Sequence, residues 1–163
     1  MKVFIKNKLI SWGGSSTVLN EQEQPIFNVK GKIFSPTKKK FMYDMNGKLL
    51  YIIRNKWWTF MSDKVLIYNA DKERIACIKK NRFSWNLKYQ IEDTIDNMSI
   101  EGKFFSGKSN IMRNGQPVGV ITRKFTIVND AFTLEADESD IPFLTALVIG
   151  FDNLKDQKEN NRD

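Results

Sequence analysis

The segment Ile5-Lys6-Asn7-Lys8-Leu9 returns along the chain as Val29-Lys30-Gly31-Lys32-Ile33, Ile53-Arg54-Asn55-Lys56-Trp57, Ile100-Glu101-Gly102-Lys103-Phe104 and Ile121-Thr122-Arg123-Lys124-Phe125. A further copy, stretched by one residue, begins Ile78-Lys79-Lys80. The six starts lie 24, 24, 25, 22 and 21 residues apart, which marks each copy as one supersecondary unit of a repeating architecture. Within a unit the apolar residues fall at alternate positions with lysines between them, the period of a strand with one buried face.

Turn residues follow each copy: Trp12-Gly13-Gly14-Ser15, Ser35-Pro36-Thr37, Met61-Ser62-Asp63, Ser84-Trp85-Asn86, Ser106-Gly107-Lys108 and Asn129-Asp130. A second, shorter strand comes next, as in Phe41-Met42-Tyr43, Val65-Leu66-Ile67-Tyr68, Lys88-Tyr89-Gln90-Ile91 and Ala131-Phe132-Thr133-Leu134. Asn46-Gly47 and Asn114-Gly115 are hairpin-turn dipeptides, because both central residues of a type I′ turn take φ > 0. Six two-stranded units make twelve strands, joined by short turns and therefore antiparallel. An open sheet of that size leaves two long edges, so the expected fold is mainly β: a twelve-stranded closed antiparallel barrel.

A barrel that wide is not filled by its own wall. The run from Ile141 to Phe151 is apolar all round and predicts a buried C-terminal helix that plugs it. Ser139 or Asp140 is placed to cap this helix, with Pro142 in its first turn and Asp137, Glu138 and Asp140 at the positive end of its dipole. That placement accounts for the acidic cluster Glu135, Asp137, Glu138 and Asp140 without a metal. The predicted organisation is one barrel domain over residues 1–157 and a polar tail over 158–163.

With no histidine and one cysteine, Cys77, the chain has no internal disulfide, no zinc site of the usual Cys/His kind, no Ser-His or Cys-His nucleophile pair and no histidine general base. Cys77, between Ala76 and Ile78, reads as a core residue. Glu92-Asp93-Thr94-Ile95-Asp96 lacks the alternating oxygen ligands and closing glutamate of a calcium loop, and no phosphate-binding glycine loop or nucleophile elbow is present. The expectation is a protein that is not an enzyme and holds no cofactor and no metal. The longest apolar stretch, 141–151, is half of what a membrane-spanning helix needs, and the N-terminus lacks a signal-peptide core, so the expected location is cytoplasmic.

Charge is uneven along the chain. Residues 1–91 hold 18 Lys/Arg against 6 Asp/Glu, and residues 92–163 hold 8 against 13. A basic first half fits an anionic partner. The candidate contact residues are Lys38, Lys39 and Lys40 in a turn read as exposed, with Lys30 and Lys32 before them, and the second group Lys79, Lys80 and Arg82, with Arg123-Lys124 at the matching point of the last unit. The same lysines also fit a solvated surface that discourages strand-to-strand aggregation. Trp12, Trp57, Trp58, Phe60 and Trp85 fit either barrel packing or a membrane interface.

The opening Lys6-Asn7-Lys8-Leu9-Ile10-Ser11-Trp12-Gly13, its echo at Ser84-Trp85, the Gly-Lys-aromatic strands and the closing Ala146-Leu147-Val148-Ile149-Gly150-Phe151-Asp152 resemble the bacterial branch of the LURP-one-related proteins. That branch is similar to the tubby C-terminal domain and the phospholipid scramblases, and the resemblance covers residues 2–157. It implies a twelve-stranded barrel around one hydrophobic helix. It also directs attention to membranes, since tubby-like domains bind phosphoinositides through basic side chains and scramblase relatives act on bilayers. No tubby lipid-binding motif matches residue by residue, and the cysteine cluster and proline-rich leader of scramblases are missing. The reading that combines these signals is a binding module, peripheral at the membrane, for anionic phospholipid headgroups or another phosphate-bearing ligand. The alternative is a structural or regulatory domain that binds a protein partner. Nucleic acid is not expected, for want of a recognition helix or a stacking motif.

Overall fold

Alternating apolar residues produce strands here, and short turns make them neighbours. The computed structural model describes residues 1–6, 15–32, 35–56, 64–80, 88–102, 107–124 and 131–159. Its strands are β1 (Lys2–Lys6), β2 (Ser15–Asn20), β3 (Pro25–Gly31), β4 (Lys40–Asp44), β5 (Leu49–Asn55), β6 (Lys64–Asn69), β7 (Arg74–Lys80), β8 (Lys88–Glu92), β9 (Met98–Gly102), β10 (Lys108–Arg113), β11 (Gln116–Lys124) and β12 (Ala131–Ala136), followed by the helix α1 (Ile141–Glu159). Each strand pairs antiparallel with its neighbours in sequence, and β1 pairs β12 as well as β2, so the barrel closes on itself. Closure satisfies the row of backbone groups that an edge strand would expose.

One end of the barrel carries the turns that lead from even strands into odd ones. Three of them share a geometry: the side chain of Asn20, Asp44 or Asn69 accepts a hydrogen bond from the backbone N–H four residues on, at 2.8, 2.8 and 2.9 Å. The next-to-last turn position is left-handed in each, at Glu23 (φ 59°), Gly47 (φ 83°) and Lys72 (φ 65°). Asn46-Gly47 is therefore not the type I′ turn that its dipeptide predicts; Asp44 closes a longer turn, and the register shifts just before it, between Met42 and Tyr43. Asn114 (φ 51°) and Gly115 (φ 79°) do make the two-residue turn, with both φ positive as type I′ requires.

Interior-facing residues keep the phase read from the sequence. Ile5, Val29, Ile53, Ile78, Ile100 and Ile121 are all buried, and they pack around Leu144, Leu147, Val148 and Phe151 of α1. Tyr89 meets Phe151 edge to face, with ring centroids 4.3 Å apart. Burial of a side chain such as Phe151 contributes about 1.5–3 kcal/mol. The helix approaches β5, β6 and β7 closely at Gly150, where a Cβ would stand 3.1 Å from both Ile78 Cδ1 and Val65 Cγ1.

Two expectations about the helix change. It runs 19 residues to Glu159, well past the apolar body ending at Phe151, because Asp152 to Glu159 holds neither glycine nor proline to stop it. Asp140 accepts the first helical bond through its carbonyl, from Leu144 N–H at 2.9 Å, but its side chain does not cap. The carboxylate instead receives both terminal nitrogens of Arg113, at 3.0 and 2.8 Å, and so ties the helix start to the β10–β11 hairpin.

Candidate functional site

The basic surface is built on the β3–β4 pair, in which Lys30 stands opposite Phe41 and Gly31 opposite Lys40. Beyond Gly31, Lys32 N–H donates to the Lys39 carbonyl at 2.8 Å. The turn between them is closed by Lys38 N–H to the Ser35 carbonyl at 3.0 Å and by Lys39 N–H to Ser35 Oγ at 3.2 Å. Lys38 takes a left-handed φ of 46°. Lys30 and Lys32 are exposed, and Lys38 and Lys39 are partly exposed.

Lys40 departs from the expectation of an exposed triplet. It opens β4 two residues before the core residue Met42, so the strand period points it into the barrel, where 4% of it is exposed. The turn itself is held from inside: Asn55 N–H donates to the Thr37 carbonyl at 2.8 Å, and Asn153 Nδ2 of α1 donates to the Lys38 carbonyl at 3.2 Å. Arg123 is corrected in the same way. It follows Ile121 by two, lies inside, and sits 5.7 Å from the Phe132 ring centroid rather than on a rim. Lys40, Asn55, Arg123, Asp152 and Asn153 are buried polar residues that the sequence reading missed. The signal was available, since Lys40, Asn55 and Arg123 each keep step with an apolar neighbour two residues away.

On the outer wall, aromatic rings and cations interleave. Phe41 and Tyr43 stack at 6.5 Å, with the Lys39 ammonium 4.9 Å from the Phe41 centroid and the Lys30 ammonium 5.4 Å from that of Tyr43. One strand further, Arg54 lies over Tyr68 at 5.0 Å and donates to its hydroxyl at 2.7 Å. These contacts hold long side chains along the wall at about 0.5–1 kcal/mol each at exposed sites.

The second predicted group stands apart. Lys79, on β7, is exposed and pairs with Glu92 at 3.4 Å. Lys80 ends the strand, and Arg82 lies outside the described residues, as do Trp12, Trp57, Trp58, Phe60 and Trp85. Three strand spacings, roughly 14 Å, separate β7 from β4. The two groups do not converge on one pocket; Arg54 on β5 and Lys64 on β6 fill the interval, with Lys64 opposite Lys79. Among the described residues no group of three or more His, Cys, Asp or Glu is placed to hold a metal ion. Burial pushes the Cys77 thiol above its ordinary pKa, the reverse of what a thiolate nucleophile needs.

The sequence model of the LURP-one-related family matches residues 1–152. The chain belongs to that family. It is 27% identical over 154 residues to the uncharacterized protein YxjI of Bacillus subtilis (strain 168), covering 93% of this chain and 92% of that protein. No solved structure matches it. Family membership leaves the ligand to be argued from the site.

Proposed function

We propose that this LURP-one-related chain is a non-enzymatic binding module, cytoplasmic and peripheral at the membrane, that engages anionic phospholipid headgroups or another phosphate-bearing ligand through its basic surface. The observation that carries this reading is the β3–β4 hairpin. From Gln24 to Tyr43 the chain holds five lysines and no acid, and the fold presents four of them, Lys30, Lys32, Lys38 and Lys39, on one hairpin. Lysines near an anionic surface contribute about 1 kcal/mol each. Among the described residues no helix is long and apolar enough to cross a membrane, which bears on helices and not on strands.

The second reading is a protein-interaction domain with no lipid ligand. It is favoured by the contacts of Lys30, Lys39 and Arg54 with Tyr43, Phe41 and Tyr68, which give these cations structural work within the chain.

Co-sedimentation with phosphatidylcholine vesicles of graded phosphatidylglycerol content, at two salt concentrations, tests the proposal. Binding should rise with anionic lipid, weaken with salt and fall at least tenfold in K30S/K32S/K38S/K39S, a variant that leaves buried Lys40 in place. No binding at low salt would remove the lipid reading and leave the protein-partner one.

A further inference from the structure

The barrel sorts charge along its axis, and this sorting ignores the boundary between the two halves of the chain. The connections leading from even strands into odd strands or into α1 occupy residues 21–24, 45–48, 70–73, 93–97, 114–115 and 137–140. They hold nine acidic residues, Glu21, Glu23, Asp71 and Glu73 from the first half among them, against two lysines. At the opposite end, seven of the twelve strand termini are lysine; Lys40 turns into the barrel, which leaves the strand ends Lys6, Lys64, Lys80, Lys88, Lys108 and Lys124, with Lys88 ion-paired to Glu101 at 2.7 Å. Neither those termini nor the described connections beside them include an acid.

From this arrangement we infer that the barrel docks end-on, lysine ring first, against an extended anionic lipid surface, with the acidic rim turned away. The inference rests on the lipid-binding reading above and changes where the contact lies: Lys108 and Lys124, from the second half of the chain, share it with the β3–β4 hairpin. The geometry separates a surface from a single ligand. Strands lie about 4.8 Å apart, so a ring of twelve is roughly 20 Å across. A lone phosphate reaches one or two of these lysines; a plane meets those around the whole perimeter. A nucleic-acid duplex, being a cylinder, meets only a band of the ring. Screening strengthens the orientation, because at a Debye length of about 8 Å the near end feels the surface while the acidic rim, a strand length away, does not.

The test compares two variants on phosphatidylcholine vesicles with one third phosphatidylglycerol. K6S/K108S/K124S removes cations from β1, β10 and β11, strands outside the hairpin, of which β10 lies across the barrel from it. K30S/K32S/K38S/K39S removes the hairpin set. Circular dichroism and thermal melting confirm that both fold, and E21Q/E23Q/E73Q on the acidic rim serves as control. End-on docking predicts a loss of at least tenfold in each lysine variant, up to about 100-fold for three lysines before screening, and a change within about twofold in the control. If the native chain binds and only the hairpin variant weakens, the contact is confined to the hairpin and the end-on inference falls while the lipid reading stands. If the native chain does not bind, both fall. Displacement from vesicles by duplex DNA at equal phosphate concentration would assign the ring to nucleic acid and overturn the inference.

Discussion

At the scale of single residues, two adjacent lysines do opposite things. Lys39 lies along the wall over Phe41, and Lys40 is inside the barrel. Replacing Lys40 by serine should cost about 2 kcal/mol or more in urea unfolding, through lost packing of its buried stem. Lys39→Ser should stay within about 1 kcal/mol, the range of its contact with Phe41. Equal effects would refute the division. Glu101 offers a pH prediction. Hydrogen bonds from Lys88 and then Ser99 hold its carboxyl below the ordinary glutamate value. A group depressed on folding stabilises fully above its unfolded pKa, about 4.3, and loses that contribution as pH falls toward the folded value. Melting temperature should drop less between neutral pH and pH values below about 4 in Glu101→Gln than in the native chain.

Among the elements, α1 is held by different means at its two ends. Its start is gripped by Arg113, which forks onto Asp140 and lies 3.6 Å from Asp96. Arg113→Ala should destabilise the protein by about 1.5–3 kcal/mol, the range for hydrogen bonds to charged groups, and should quicken amide exchange in the first turn of α1. An exchange pattern unchanged at residues 141–145 would show that the grip is idle. The middle of the helix is fixed by fit. Gly150→Ala gains about 1 kcal/mol of helix propensity but sets a methyl against Ile78, Val65 and Ile53, and overpacking costs about 1–3 kcal/mol. The prediction is a lower melting temperature despite the better helix former.

For the whole molecule, closure is the controlling property. Val3 pairs with Leu134 on one side and with Asn20 on the other, so β1 covers what would otherwise be two edges. Removal of residues 2–6 should abolish the monomer in size-exclusion chromatography and yield aggregate. How much of this was legible beforehand follows from the range of the interactions involved. Strand identity, the barrel and the buried helix were readable because a period of two, a turn dipeptide and an apolar run are properties of neighbours in the chain. The inward turn of Lys40 and Arg123 was readable in principle from the same period, but a lysine in a basic run looks like a solvated one until its phase is followed. The grip of Arg113 on Asp140, 27 residues later, was not readable, because nothing local fixes which carboxylate a guanidinium meets. The sorting of charge belongs to the same class. Sequence shows a basic half and an acidic half; alternation of strand direction carries every second connection to the opposite end, and only closure gathers those ends into an acidic rim and a lysine ring. The sequence alone therefore determined which residues form strands and which face of each is apolar, since sterics and burial act over a few residues. The tertiary structure decided which charges share a surface, since Coulomb interactions depend on distance in space rather than on position along the chain.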